Sequence, residues 1–303
     1  MISLLLIFIG ALIFPGLISI TKAKLSGKKG PGIFQPYKDI LRLLKKGSVY
    51  SSTTSFVFQV APIIYMASVL GAILMIPFGN FKQGLISFEG DFLMFAYMLA
   101  FGKFLMIISA LDTGSGFEGM GANREALYSM LVEPAFFIVL SSVVMLSGYT
   151  SFYEMFTHFH VENYVSWLYV AISVYLLIQI TLIENSRLPV DDPKTHLELT
   201  MVHEVMVLDN SGFDLGLIQI TGALKFAMFG ALIGNLVIPP MHLGFELSAL
   251  AFVVIQALFA ITVGFMESFR ARLKMIYNPQ FILTLSGIAL IAFFAVFFIT
   301  KTI

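Results

Sequence analysis

Apolar positions along this chain fall into eight long blocks, not into short alternating strands or one-sided helical stripes. The blocks are Ile2–Thr21, Phe56–Phe78, Phe92–Leu111, Pro134–Tyr153, Asn163–Ile183, Leu215–Met241, Leu247–Met266 and Gln280–Thr300. A bilayer core about 30 Å thick is crossed by about 20 helical residues rising 1.5 Å each. The pattern therefore predicts eight spanning helices, and the expected fold class is an all-α integral membrane bundle with residues 1–303 as one polytopic domain. The first block lacks the basic start of a secretory signal and is read as a retained span. No internal repeat relates blocks one to four to blocks five to eight, which disfavours a two-halved secondary transporter.

The polar intervals assign sides. Of eighteen Lys and Arg residues, fourteen lie in the connections after blocks one, three, five and seven, at about 22–55, 112–133, 184–214 and 267–279. Lys82 and Lys301 lie in the alternate set, and Lys103 and Lys225 lie inside blocks. Basic residues are retained on the cytoplasmic side of inner membranes. The four basic connections are accordingly expected in the cytoplasm, with both termini outside the inner membrane of a prokaryote. Within the first connection, PYKDILRLLKKG sets Ile40, Leu41, Leu43 and Leu44 against Lys38, Arg42, Lys45 and Lys46. That pattern predicts a short amphipathic helix lying at the membrane interface.

Composition narrows the chemistry. The chain is 58% hydrophobic and 12% charged, with a mean hydropathy of +0.91, about half the charge of a soluble domain. It has no cysteine, which excludes disulfides, iron–sulfur clusters and thiolate metal sites within it. Formal net charge is zero and gives no basis for nucleic-acid binding. GSGFEG (Gly114–Gly119) matches a dinucleotide fingerprint in letters only, because a membrane span precedes it where a strand is required. Its glycines are read as a tight re-entrant turn before the segment Arg124–Val132. His158, His160, His196, His203 and His242 all fall in or beside connections, so no histidine is placed mid-span to ligate a haem. HEVMV lacks the second histidine of a zinc-protease helix. No metal or cofactor is expected in this chain.

The densest charge lies in ENSRLPVDDPKTHLELTMVHE, Glu184–Glu204. Asp192-Pro193 reads as an N-cap followed by a first-turn proline, predicting a helix from Pro193 to about Leu208. His196, Thr200, His203 and Glu204 would share one face, and Leu197, Met201, Val205 and Leu208 an apolar stripe. Glu198 would point elsewhere, with Arg187 or Lys194 as its partner. So long a connection with both a polar face and an apolar stripe points to a docking surface or a proton-conducting vestibule. Lys103 and Lys225 sit near the middle of their blocks, where lysine costs about 2.5–3.5 kcal/mol. Asp112, Glu133 and Glu184 are placed at the cytoplasmic mouth beneath the charged loop. Together these groups form either a proton-exchanging chain or static pairs that fix helix packing.

Three segments then carry a resemblance: KKGPGIFQPYKDILRLLKKG (Lys28–Gly47), GMGANREALYSMLVEPA (Gly119–Ala135) and ENSRLPVDDPKTHLELTMVHEVMVLDNSG (Glu184–Gly212). With the eight-span plan, they resemble the complex I subunit 1 family. The nearer likeness is to the branch found in energy-converting NiFe hydrogenases, the hydrogenase-4 component C and formate hydrogenlyase subunit 4 type. Arg187-Leu188-Pro189 keeps the start of the family's charged motif, Val190 replaces its Phe, and DDPKTHLELTMVHE replaces its acidic run. That departure disfavours the alternative, a quinone-linked NADH dehydrogenase subunit; a free-standing ion transporter is the other. The resemblance implies a chain that is not catalytic alone. Hydrogenase-like large and small subunits and an iron–sulfur subunit would dock on the cytoplasmic face, carrying the NiFe centre and iron–sulfur clusters, with antiporter-like subunits alongside in the bilayer. It also implies roles by motif position. Glu133 and Glu184 would belong to a proton path. Arg187, Asp191 and Asp192 would shape the loop beneath the large subunit. Glu198, His203 and Glu204 would relay or gate charge.

Overall fold

In the computed structural model, the described residues are 2–79, 81, 83–159, 164–192, 201–241 and 243–302. They form α1 (Ile2–Leu25), α2 (Gln35–Leu44), α3 (Phe56–Met75), α4 (Asp91–Asp112), α5 (Gly116–Ser147), α6 (Phe152–Thr157), α7 (Tyr164–Glu184), α8 (His203–Met206), α9 (Gly212–Val237), α10 (Phe245–Phe269) and α11 (Asn278–Thr302). Eight of these, α1, α3, α4, α5, α7, α9, α10 and α11, are long and apolar enough to cross a membrane. The expected fold class and span count hold.

Helix α9 is the centre. It packs against α1, α2, α3, α7 and α10 and is buried along most of its length. The pair α3–α4 flanks it on one side, while α11 packs on α5 and α7. Hydrogen bonds show which connections share an end. Val49 N donates to Ser211 Oγ (3.0 Å), Ser55 N to Asp112 Oδ2 (2.6 Å), and Leu273 N to Pro189 O (2.9 Å). The four basic connections thus gather at one end of the bundle. At the other end Ser3 Oγ donates to Ile76 O (3.1 Å), Gly90 N to Thr150 O (3.2 Å) and Gly79 N to Asn235 Oδ1 (2.7 Å). The alternation read from charge is also the alternation of the fold.

Several boundaries differ from the sequence pattern. The fourth span starts at Gly116, not Pro134, and runs 32 residues, about 48 Å at 1.5 Å each. The run REALYSMLVE consists largely of good helix formers, so the helix continues where hydropathy falls. Only Gly114, at φ +72°, makes the turn before it; Gly116 and Gly119 are helical, and the re-entrant turn expected across them is absent. In the charged loop, Pro193–Thr200 lie outside the described residues, with them Lys194, His196 and Glu198. Among the described residues, the helix expected to run to Leu208 is present only as α8, and Met201 and Val202 are not helical. There Val202 N and His203 N donate to Asp191 Oδ2 (3.2 and 3.1 Å). Met201 and Val205 are buried as the stripe required, but Leu208 is exposed. The amphipathic helix is present as α2; it buries Ile40 and rests Leu43 and Leu44 on Gly216 of α9.

Two glycines permit close approach. Gly212, at φ +53°, lies where a Cβ would fall 2.1 Å from Gly47 O, and Gly121 lets α8 lie directly on α5. A Cβ at 121 would stand 2.5 Å from Val205 Cγ1 and 2.9 Å from Met206 N. Gly121→Val is expected to destabilise the fold by about 1–3 kcal/mol. A thermal melt in mild detergent should show a lowered midpoint, and limited proteolysis should show earlier cleavage near residues 201–208.

Candidate functional site

A membrane interior leaves charge little choice but to pair, and four spans contribute to one buried cluster. Lys103 of α4 places Nζ 3.1 Å from Glu125 Oε1 of α5 and 3.0 Å from Glu184 Oε2, the last residue of α7. Lys225 of α9 places Nζ 2.6 Å from the same Glu184 oxygen and donates to Glu184 O at 2.9 Å. Ser186 Oγ donates to Glu125 Oε2 (3.2 Å). The Lys225 side chain is 1% exposed and the other three 5–12%. Two cations and two carboxylates leave the cluster formally neutral.

Glu184 is therefore not at the mouth of the bundle, as its place at the end of a hydrophobic block implied. Its contact with Lys225 lies roughly 20 Å along α9 from that helix's first residue, at 1.5 Å per residue. The chain after Glu184 returns to the basic end as a non-helical strap. Lys225 meets the C-terminal carbonyl of α7, where the helix dipole favours a cation. Glu133 is likewise not at a helix start but midway along α5. It is exposed on the outer flank of the isolated chain, and it lines a cavity of about 60 Å³ together with Lys103 and Glu184. Asp112 does lie at the mouth, but it accepts from Ser55 N and is not part of the cluster.

A second ion-pair group ties the strap to the bundle. Arg187 pairs with Glu267 of α10 (2.7 Å); Glu198, its expected partner, lies outside the described residues. Glu267 also receives Lys22 of α1 at 2.8 Å. The Arg187 guanidinium stands 5.3 Å from the centroid of the Phe226 ring, a cation–π distance. Asp191 closes the base of the charged loop. Its Oδ1 accepts from Arg272 (2.8 Å) and Asp192 N (2.9 Å), and its Oδ2 from Val202 N and His203 N. Burial pushes the Asp191 carboxyl above the ordinary aspartate range, while the backbone donors and Arg272 oppose the rise. Arg124 Nη1 donates to Met201 O (2.8 Å) and grips the loop from α5.

Three spaces join these groups. The largest, about 520 Å³, lies among α1, α2, α9 and the strap and is lined by Arg187, His203, Glu204 and Asn185. A gap of about 40 Å³ shares Asn185, His203 and Gly222 with that chamber and reaches Tyr65, Lys103, Glu125 and Glu184. The cavity at Glu133 shares Lys103 and Glu184 with the gap. Polar side chains thus line successive spaces from the basic end to the flank of α5. Among the described residues, no group of three or more His, Asp or Glu side chains is arranged to hold a metal ion.

Of the residues singled out from sequence, Lys103, Lys225, Glu133 and Glu184 come together, and His203, Glu204 and Arg187 line the chamber above them. Glu125, Glu267 and Arg272 were missed. Glu125 had a readable signal: it lies eight residues before Glu133, so on a continuous helix it stands about two turns away and about 80° round from it. Starting that helix at Pro134 hid it.

The fold and its buried ion pairs are those of a multi-pass membrane protein with a polar interior. The chain belongs to the NADH dehydrogenase family, the complex I subunit 1 family, whose model matches residues 1–299. It is 27% identical to formate hydrogenlyase subunit 4 of Escherichia coli over 308 residues, covering 97% of this chain and 96% of the relative. Hydrogenase-4 component C of the same organism is 29% identical over 231 residues, 75% of this chain and 70% of the relative. An NADH-quinone oxidoreductase subunit of Bordetella pertussis is 30% identical over a shorter 118 residues, 39% of this chain and 33% of the relative. A chain in the structure of the membrane-bound sulfane sulfur reductase, an archaeal respiratory membrane complex, superposes with a TM-score of 0.80 at 19% identity, over 97% of this chain and 98% of that one. At that identity the likeness is one of fold.

Lys225→Met leaves the Glu184 carboxylate with Lys103 alone, and breaking a buried pair costs about 3–5 kcal/mol. A melt in detergent should register that loss. The double variant Lys225→Met/Glu184→Gln should recover part of it, because the orphaned charge is then gone; additive losses would show that the two side chains do not interact.

Proposed function

We propose that this chain is the membrane-anchor and proton-path subunit of a complex I-like membrane-bound hydrogenase of the hydrogenase-4/formate hydrogenlyase type. The observation that carries the reading is the contiguity of the chamber, the Lys103–Glu125–Glu184–Lys225 cluster and the Glu133 cavity. Each lysine shares a carboxylate, so a proton arriving or leaving changes which pairs are satisfied, and a charge change at the chamber is felt by the cluster through Glu184 and Arg187, three residues apart. Support for the hydrogenase branch comes from the two Escherichia coli relatives that match most of the chain. Both names are those of one subunit among several, and in this reading hydrogenase-like large and small subunits and an iron–sulfur subunit are the partners at the basic end. The NiFe centre and iron–sulfur clusters would reside in those partners. Arg124, Arg187, Asp191 and Asp192 then shape the docking loop, and His203 and Glu204 meet protons at its base.

The basic end faces the cytoplasm of a prokaryotic inner membrane and both termini face outward, in keeping with the positive-inside rule. Glu133 supports a lateral membrane partner, because a carboxylate facing acyl chains midway along a spanning helix is costly. An antiporter-like protein against that flank would cover it.

Glu184→Gln and Glu133→Gln are expected to lower proton-coupled turnover in native vesicles by about tenfold, about 1.4 kcal/mol of barrier, while blue-native gels show the complex still assembled. Wild-type coupling in both variants would remove them from the path. The cysteine-free chain also permits a direct orientation test. Lys45→Cys is expected to react with an impermeant maleimide only from the cytoplasmic side, and Leu85→Cys only from outside.

A further inference from the structure

A hydroxyl on a spanning helix is commonly satisfied by its own backbone. Ser142, Thr181 and Thr221 follow that rule: each donates to the carbonyl four residues back, at 2.7, 2.6 and 2.7 Å. Ser129 of α5, Ser173 of α7 and Ser286 of α11 do not. Their hydroxyl oxygens are buried and have no hydrogen-bond partner among the described residues. The same holds for Gln179 Nε2 of α7 and Asn278 Oδ1 of α11. All these atoms belong to three helices that pack on one another, so they share one seam, α5–α7–α11.

Two hydrogen bonds set the register of the seam. Asn278 Nδ2 donates to Tyr128 Oη (3.0 Å) and to Val190 O (3.1 Å), fixing α11 against α5 toward the basic end. Tyr169 Oη approaches the Ser142 and Ser173 side chains but donates to Val139 O (3.0 Å), fixing α7 against α5. Ser286 lies about 12 Å along α11 from Asn278. Val139 lies about 16 Å along α5 from Tyr128, and Ser173 is a turn back from Tyr169 toward the basic end, so Ser173 and Ser286 stand at about the same depth. Gln179, about 15 Å along α7 from Tyr169, returns to the depth of Tyr128 and Ser129. The seam ends toward the outer side in a cavity of about 40 Å³ lined by Ser166, Tyr169, Leu146 and Val296. At its inner end Ser129 stands a turn of α5 from Glu125 and a turn from Glu133, between the two carboxylates. Polar atoms buried without a partner are costly, and the usual remedy in a protein interior is ordered water.

We propose that the α5–α7–α11 seam holds a file of ordered waters and forms the outward limb of the proton path, from Glu125 past Ser129, Ser173 and Ser286 to the cavity at Tyr169. The inference rests on the proton-path reading and gives that path an exit on the outer face. A proton leaves the Glu125 carboxyl for water at Ser129. Each hydroxyl or water then accepts a proton on one side and releases one on the other, and solvent at the outer face takes the last. Only O–H bonds break and form.

The test uses the intact complex in native vesicles. Ser173→Val and Ser173→Thr match each other in size and differ by the hydroxyl. The Val variant should lower proton-coupled turnover about tenfold, with the complex assembled on blue-native gels, whereas the Thr variant should couple as wild type. A second measurement needs no variant. X-ray radiolysis in ¹⁸O-water modifies side chains that touch bound water. Tyr169, 4% exposed, should take up ¹⁸O, whereas Phe95, at 0% and outside the seam, should not. The proposal is overturned if Tyr169 stays unlabelled, or if the Val and Thr variants lose coupling equally, which marks a packing effect. It is also overturned if Ser173→Val couples as wild type while Glu184→Gln does not; the lateral exit past Glu133 is then the whole route and the proton-path reading stands. Wild-type coupling in Glu184→Gln removes that reading and its outward limb together.

Discussion

The bundle is organised around one constraint: a lysine in the membrane interior must have a carboxylate within reach. Lys103 and Lys225 each meet that need through Glu184, and Glu125 completes the set. Because the four residues come from α4, α5, α7 and α9, their pairing fixes the relative rotation and depth of four helices at once. It also explains why α7 stops at Glu184 and the chain continues as a strap. A further turn of helix would engage the Glu184 carbonyl that the lysine uses. Ion pairs of this kind add little net stability when all partners are present, but they penalise alternatives heavily. They act as a register device that is also titratable.

Much of this was legible in the sequence. Eight blocks of the right length gave eight spans, since a bilayer tolerates no shorter solution, and the positions of Lys and Arg sorted the connections onto the ends where the fold places them. What was not legible depended on partners distant in sequence. Arg187 finds Glu267 eighty residues away, and no local spacing announces that pair. At Val202 and His203 two backbone donors go to the Asp191 side chain, eleven and twelve residues back, a contact that no helical spacing announces. The length of α5 was hidden for a different reason. Its first turns lie among the connections, where a helix need not be apolar, so hydropathy marked only the part that enters the membrane.

Fold and site carry different weight. The match to the archaeal respiratory complex speaks to the arrangement of helices, whereas the branch within the family rests on the Escherichia coli relatives and on the charged loop that departs from the quinone-linked motif. The loop and the strap are fastened to the bundle by named contacts: Asp191 with Arg272, Arg124 with Met201, and Glu267 with Lys22 and Arg187.

The length of α5 has one more consequence. About 48 Å of helix exceeds a 30 Å hydrocarbon layer, so its first turns stand in water with Val202, Val205, Met206 and Tyr128 buried around them. This collar is held by water-driven burial, whereas the helices below it are held by close packing in lipid, where that driving force is absent. Urea acts on surfaces that water can reach. Chemical denaturation should therefore proceed in two stages, with the collar melting at lower denaturant than the helical bundle in its detergent or bilayer, and the molecule carries two separable kinds of stability in a single chain.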